Sequence, residues 1–315
     1  MSKLIFCDFE TAYDRQFSLA KLTTEEYVRD RRFETIGIAI KEGLDGETKW
    51  YPKPEVKRIL PTIDWSNALV VAQNTAFDGA ILKWRYGVNP KGWIDIMGMS
   101  RALYPHEKSH SLKAQAERAG VGQKGDEVIA ALGKRYLDFS PEELARYGGY
   151  CINDVELTAK LFKRYMDAGF PMQELRLMDL TLRMFIDARL RLDVPLLEQH
   201  LQDVRANKAA LLERVTARFG SAESAKSVLM SNPQFAEALR ELGVEPPMKV
   251  SPTTGKEAYA FAKTDEAFKA LEEHPNPDVQ ALVAARLGTK TTIEETRTES
   301  LISVAGRGRL PIMLN

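Results

Sequence analysis

Apolar residues come in short runs over the first hundred positions and at helical spacing over much of the remainder. Leu4, Ile5 and Phe6 form a run suited to a buried strand, and Phe33 to Lys41 and Glu47 to Tyr51 predict two more, joined across a Gly43 to Gly46 turn. A charged helical or irregular insertion through Arg31 separates the first two. Ala68-Leu-Val-Val-Ala-Gln73 is apolar almost throughout, as a parallel strand covered on both faces would be. It leads into Asn74-Thr-Ala-Phe77-Asp78, after which Gly79 to Tyr86 predicts a helix stopped by Gly87, and Trp93 to Ile96 a short strand. Ser140-Pro-Glu-Glu143 has the N-cap hydroxyl, the first-turn proline and the glutamate of a helix start. The helix that follows is expected to reach about Ala168, with Leu144, Tyr147, Cys151, Val155, Leu161 and Tyr165 on one stripe. Strands first linked as hairpins and then alternating with helices predict an α/β fold, a mixed sheet flanked by helices.

From Met172 onward the pattern predicts helices alone: Gln173 to Ala188, Val194 to Phe219, Asn232 to Leu242, Thr264 to Glu273, and a last one from about Pro277 to Val304. Pro246 to Lys256, rich in Pro, Gly, Ser, Thr and Lys, reads as a loop. The change of pattern divides the chain into an α/β domain over 1–171 and an all-helical region over 172–315.

Chemistry concentrates where strands end. Asp8 and Glu10 stand at i, i+2, so both project from one face of the first strand, near enough to share an ion. A divalent cation offsets the repulsion of paired carboxylates, and oxygen ligands suit Mg²⁺ or Mn²⁺. Asp78 follows a second strand, and Asp154 lies on a helix one turn beyond Tyr150. Gly148 and Gly149 just before them cost the helix about 1 kcal/mol each relative to Ala, a cost suited to a place where a backbone or substrate comes close.

The succession D-x-E, N-x-x-x-D and Y-x-x-x-D, carried by Asp8, Glu10, Asn74, Asp78, Tyr150 and Asp154, resembles the three exonuclease motifs of the DnaQ-like family, whose fold is ribonuclease-H-like. The family divides by a Tyr four residues before the last Asp or a His five before it. Gly149 stands at the His position, so the chain resembles the tyrosine branch. The resemblance covers residues 1 to about 170 and implies a two-metal-ion 3′→5′ exonuclease. It makes Asp8 the bridge between two Mg²⁺ or Mn²⁺ ions, Glu10 and Asp154 further ligands of one ion, and Asp78 a ligand of the other. Tyr150 keeps its phenolic proton at neutral pH and positions the water. Thr11, Asn74 and Phe77 are expected to contact the terminal nucleotides, Phe77 by stacking. Asp95 is a supporting acid or a structural one, and His106, His110, His200 and His274 are expected to stand apart.

Ser231 to Gly243, Ser251-Pro-Thr-Thr-Gly-Lys256 and Arg286 to Thr296 resemble the helical thumb of phage-type family A DNA polymerases. That resemblance implies a grip on duplex DNA and suggests Lys249, Thr254, Lys256, Arg286 and Lys290 as phosphate contacts. The family continues into fingers and palm, whereas this sequence runs to Asn315 without the polymerase carboxylates. The expectation is therefore proofreading without polymerisation, with a separate palm and fingers chain as a partner if the protein is naturally split. A ribonuclease-D-like RNA trimmer and a non-catalytic primer-template-binding subunit are the alternatives.

Composition narrows this picture. The 315 residues carry 44 basic and 44 acidic side chains, 25 against 24 up to residue 170 and 19 against 20 after it, so a polyanion must be held by local patches and metal rather than by the overall field. Two cysteines, Cys7 and Cys151, exclude a disulfide scaffold and a multi-thiolate zinc site, and are read as small buried hydrophobes. Without a signal peptide or a bilayer-length apolar run, a cytoplasmic location is expected.

Overall fold

A computed structural model describes residues 2–125, 131–219, 221–251, 255–290 and 292–313, and for 217–219 the backbone alone. Two compact units result, one of residues 1–190 with 309–315, the other of 191–308.

The first unit is an α/β fold around a five-stranded mixed sheet. Its strands are β1 (Lys3–Thr11), β2 (Thr35–Glu42), β3 (Thr48–Pro52), β4 (Ala68–Ala72) and β5 (Gly92–Asp95), in the order β3-β2-β1-β4-β5. The first three pair antiparallel, while β4 runs parallel to β1 with Phe6 beside Val71, and β5 runs parallel to β4. Alternation along β1 feeds two cores. Ile5, Cys7 and Phe9 pack with Val70, Ile81 and Trp93 on one face, and Phe6 packs with Val71, Cys151 and Phe162 on the other.

Helices cover both faces. α1 (Thr24–Arg29), α2 (Lys53–Ile59) and α3 (Thr75–Tyr86) precede β5, and α4 (Ile96–Leu103), α5 (Leu112–Ala119) and α6 (Pro141–Asp167) follow it. The Ser140 hydroxyl accepts from Glu143 N–H and the Glu143 carboxylate accepts from Ser140 N–H, so α6 begins at the capping box the sequence indicates. Close approach of α6 to the sheet depends on glycine. A Cβ on Gly148 would lie 2.6 Å from the Trp50 ring and one on Gly37 2.3 Å from it, so the indole fills a slot between helix and strand. Gly149 faces open space.

The boundary expected at residue 171 moves. α7 (Met172–Ile186) packs on the first unit: the Asp179 carboxylate accepts from Trp93 N–H at 2.8 Å, and Trp84 Nε1 donates to the Ile186 carbonyl at 2.8 Å. The chain returns at Leu310, which bridges to Leu190. Helix α3 starts four residues earlier than its apolar pattern indicates, which puts Asp78 in its first turn.

The second unit holds α8 (Val194–Phe219), α9 (Ala222–Met230), α10 (Asn232–Glu241), α11 (Glu266–Lys269), α12 (Pro277–Lys290) and α13 (Ile293–Arg307). Val215, Leu229, Phe235, Phe268 and Leu282 contribute to its core. It is not all-helical. The stretch expected as a loop over Pro246 to Lys256 contains a strand, β6 (Met248–Val250), which pairs antiparallel with β7 (Glu257–Tyr259) as a hairpin. The single last helix expected over 277–304 is two, α12 ending at Lys290 and α13 beginning at Ile293.

Candidate active site

β4 ends beside the middle of β1, just after Val71 faces Phe6, and Asp8 and Glu10 stand on the stretch of β1 that runs on past it. Asp8 and Glu10 leave β1 on the face covered by α6, and one atom from each lies within 4.8 Å of the other and of the Cys151 sulfur. Cys151, fully buried on α6, donates to the Asp8 carbonyl at 3.3 Å and to its carboxylate Oδ2 at 3.4 Å. Asp78, also buried, reaches β1 from the first turn of α3, where its Oδ1 accepts from Phe9 N–H at 3.0 Å. Asp154, one turn beyond Tyr150 on α6, pairs with the Lys124 ammonium.

Electrostatics identify a cluster under stress. Burial, followed by the Asp154 charge, pushes Asp8 up from its ordinary 3.8 to about 7, against the opposing pull of Lys124 and the Cys151 hydrogen bond. Burial and then Asp8 raise both Glu10 and Asp78 well above the usual carboxylate range. Tyr150 is raised by burial and next by the Asp154 charge, so it stays a phenol. Buried hard oxygen donors that repel one another in this way fit a divalent cation.

The other sequence-derived residues divide. The Thr11 hydroxyl is within 2.9 Å of Tyr27 Oη, which itself donates to the Ala12 carbonyl, so Thr11 is tied into the wall beside a bulge between Glu10 and Thr11. Asn74 is exposed at the start of α3 and its side chain makes no capping bond. Phe77 is half-buried, tilted against Tyr27 with ring centres 6.1 Å apart. Asp95 stays outside the cluster: Oδ1 accepts from Thr75 N–H and Oδ2 from Gly98 N–H, which makes it the cap of α4. His110, His200 and His274 are engaged elsewhere, with Ser100, Glu294 and Asn276.

In the second unit Lys249, Arg286 and Lys290 line one cavity of about 350 Å³ with Asn232, Tyr259 and Phe261. Arg286 corrects the expectation of a surface contact. It is 1 % exposed, donates to the Leu229 carbonyl at 2.7 Å and to Asn232 Oδ1, and stacks over Phe235 at 4.2 Å, so its guanidinium is spent on the core. Lys249 pairs with Asp265 at 2.7 Å, Lys290 donates to Asn232 Oδ1 at 3.2 Å, and Lys256 is exposed. Thr254 lies outside the described residues.

Sequence reasoning missed three neighbours of the acids. Tyr147 donates to Glu10 Oε2 at 2.5 Å and stacks on Tyr150, although its helical spacing indicated only a core position. Cys151 is buried as expected but also hydrogen-bonds Asp8. Lys124 carries no local signal at all, since its placement depends on how the segment after α5 crosses α6.

No family model matches the chain, and no curated protein matches it. Among solved structures, the fold is similar to the POL domain of Pol1 from M. smegmatis in complex with DNA primer-template and dNTP, with a TM-score of 0.56 and 17% identity. That match covers 100% of this chain and 49% of the other, so this chain spans about half its length. Brucella melitensis NrnC matches at a TM-score of 0.42 and 13% identity over 57% of this chain and 81% of that one. NrnC with bound Mg²⁺ matches at 0.41 and 15% over the same shares.

Proposed function

We propose that the first unit is a metal-dependent 3′→5′ exonuclease that releases nucleotides from DNA ends, the proofreading part of a polymerase-like protein. The observation that carries this reading is the convergence of Asp8, Glu10, Asp78 and Asp154 on one end of the sheet, with Asp8 raised to about 7 by burial and a like charge. Two divalent cations, Mg²⁺ or Mn²⁺, would supply a water of lowered pKa and charge compensation on the leaving 3′-oxygen. Asp8, Glu10 and Asp154 would hold one and Asp8 with Asp78 the other. Tyr147 fixes the Glu10 carboxylate through a 2.5 Å hydrogen bond, so that ligand is oriented in advance. Tyr150, a phenol one helical turn before Asp154, can orient a water but not take its proton. Asn74 and Phe77, exposed and half-exposed beside Asp78, offer an amide and a ring to the last nucleotides, with Thr11 in the wall. In the second unit Lys249, Lys256 and Lys290 would meet DNA phosphates, with Arg286 buttressing from within.

A 5′-labelled single-stranded DNA incubated with Mg²⁺ or Mn²⁺ should shorten stepwise from its 3′ end, and the pair Asp8→Ala, Glu10→Ala should abolish shortening. Normal digestion by that pair removes the assignment. An RNA of the same sequence, digested faster than DNA, would favour the RNA-trimming alternative.

A further inference from the structure

Lys124 sits where the acids are most in need of positive charge. Its ammonium pairs with Asp154 Oδ2 and lies 4.8 Å from the centre of the Tyr150 ring. The segment that delivers it is held between α5 and α6: Val121 N–H donates to the Ala116 carbonyl of α5 at 3.1 Å, and Asn153 Nδ2 of α6 donates to the Gln123 carbonyl at 3.0 Å. Gly122, at φ +147°, passes so close that a Cβ there would lie 2.8 Å from Leu157 Cδ2. The same turn of α6 thus anchors the backbone and receives the side chain. The Lys124 side chain nevertheless keeps 26% of its surface exposed, against 5% for that of Asp154, so it has a way out to water.

We propose that Lys124 is an exchangeable counter-ion: it neutralises Asp154 in the metal-free protein, competes with the divalent cation for that carboxylate, and is expelled when the metal binds. The inference rests on the metal-site reading above. Four carboxylates and two dications sum to zero charge, so the loaded site has no use for an ammonium, and two cations on one carboxylate repel. Lysine suits the role as a point charge on a flexible stem that gives up its contact readily. Lys124 thereby lowers the metal affinity of the site and stabilises the fold without metal.

Mn²⁺ titration followed by electron paramagnetic resonance, on the full chain, tests this without reference to nuclease activity. Lys124→Met should bind Mn²⁺ about tenfold more tightly than the parent, about 1.4 kcal/mol. Its metal-free melting temperature should fall while the Mn²⁺-induced rise grows, and Lys124→Arg should stay near the parent in both. If Lys124→Met is too unstable to titrate, Lys124→Gln takes its place with the same expectation. Equal or weaker Mn²⁺ binding by the neutral variant overturns the proposal. Absence of Mn²⁺ binding in parent and variants alike overturns the metal-site reading instead, a distinct result.

Discussion

Replacing Asp8 by Asn should stabilise the metal-free protein while destroying its activity. The substitution keeps an oxygen to accept from the Cys151 thiol, and removes only the charge. An acid whose pKa rises from 3.8 to about 7 on folding costs nothing below pH 4, costs progressively more up to about pH 7, and a constant amount above it. At 1.36 kcal/mol per pH unit the full gap is about 4 kcal/mol, and since part of it is repulsion shared with Asp154, about 2 kcal/mol is expected from Asp8 alone. For a unit of this size that corresponds to a rise in melting temperature of about 4 to 8 °C. Thermal unfolding followed by circular dichroism, in chelator at pH 8 and again at pH 5, reads the effect directly. The variant should melt higher at pH 8, and its advantage should shrink at pH 5 to about a third of that, since the cost grows only from about pH 4 upward. With Mn²⁺ present the order should reverse, because only the parent gains from the ion. A variant that melts lower than the parent at pH 8 in chelator refutes the view that these carboxylates repel one another in the native fold.

Gly148→Ala should cost about 1 to 3 kcal/mol and lower exonuclease activity, since its Cβ meets the Trp50 ring at 2.6 Å and α6 must shift. Gly149→Ala, with nothing within 4 Å, should be neutral or gain up to about 1 kcal/mol, and equal losses from both in chemical denaturation would contradict the slot. Tyr147→Phe keeps the stacking on Phe139 and Tyr150 but loses the buried bond to Glu10, so Mn²⁺ affinity should fall by about tenfold in the same titration, and metal-free stability by about 1 to 3 kcal/mol. Arg286→Ala should destabilise the second unit by about 3 kcal/mol, visible as early proteolysis within 191–308, while digestion of single-stranded DNA continues. A variant with intact stability and weakened DNA binding would return Arg286 to the surface role.

Much of the architecture is legible in period and punctuation. The strand runs, the capping box at Ser140 and the i, i+2 and i, i+4 spacings name β1, α6 and the face each acid takes, because a strand's period of two and a helix's of 3.6 are local properties. That β4 ends beside β1 just before Asp8, and that Asp78 bonds the Phe9 amide, follows from their parallel pairing, which links residues 60 and more positions apart. Two neighbouring glycines look alike in sequence, yet one holds the slot for Trp50 and the other faces open space. Arg286 reads as a basic surface residue, and only the packing of α9, α10 and α12 turns it inward. Residue type and spacing determine which groups can do chemistry and which way each faces along its own element. Which of them meet, and which lysine comes to rest on Asp154, depends on packing between distant segments, where burial sets the value of every charge.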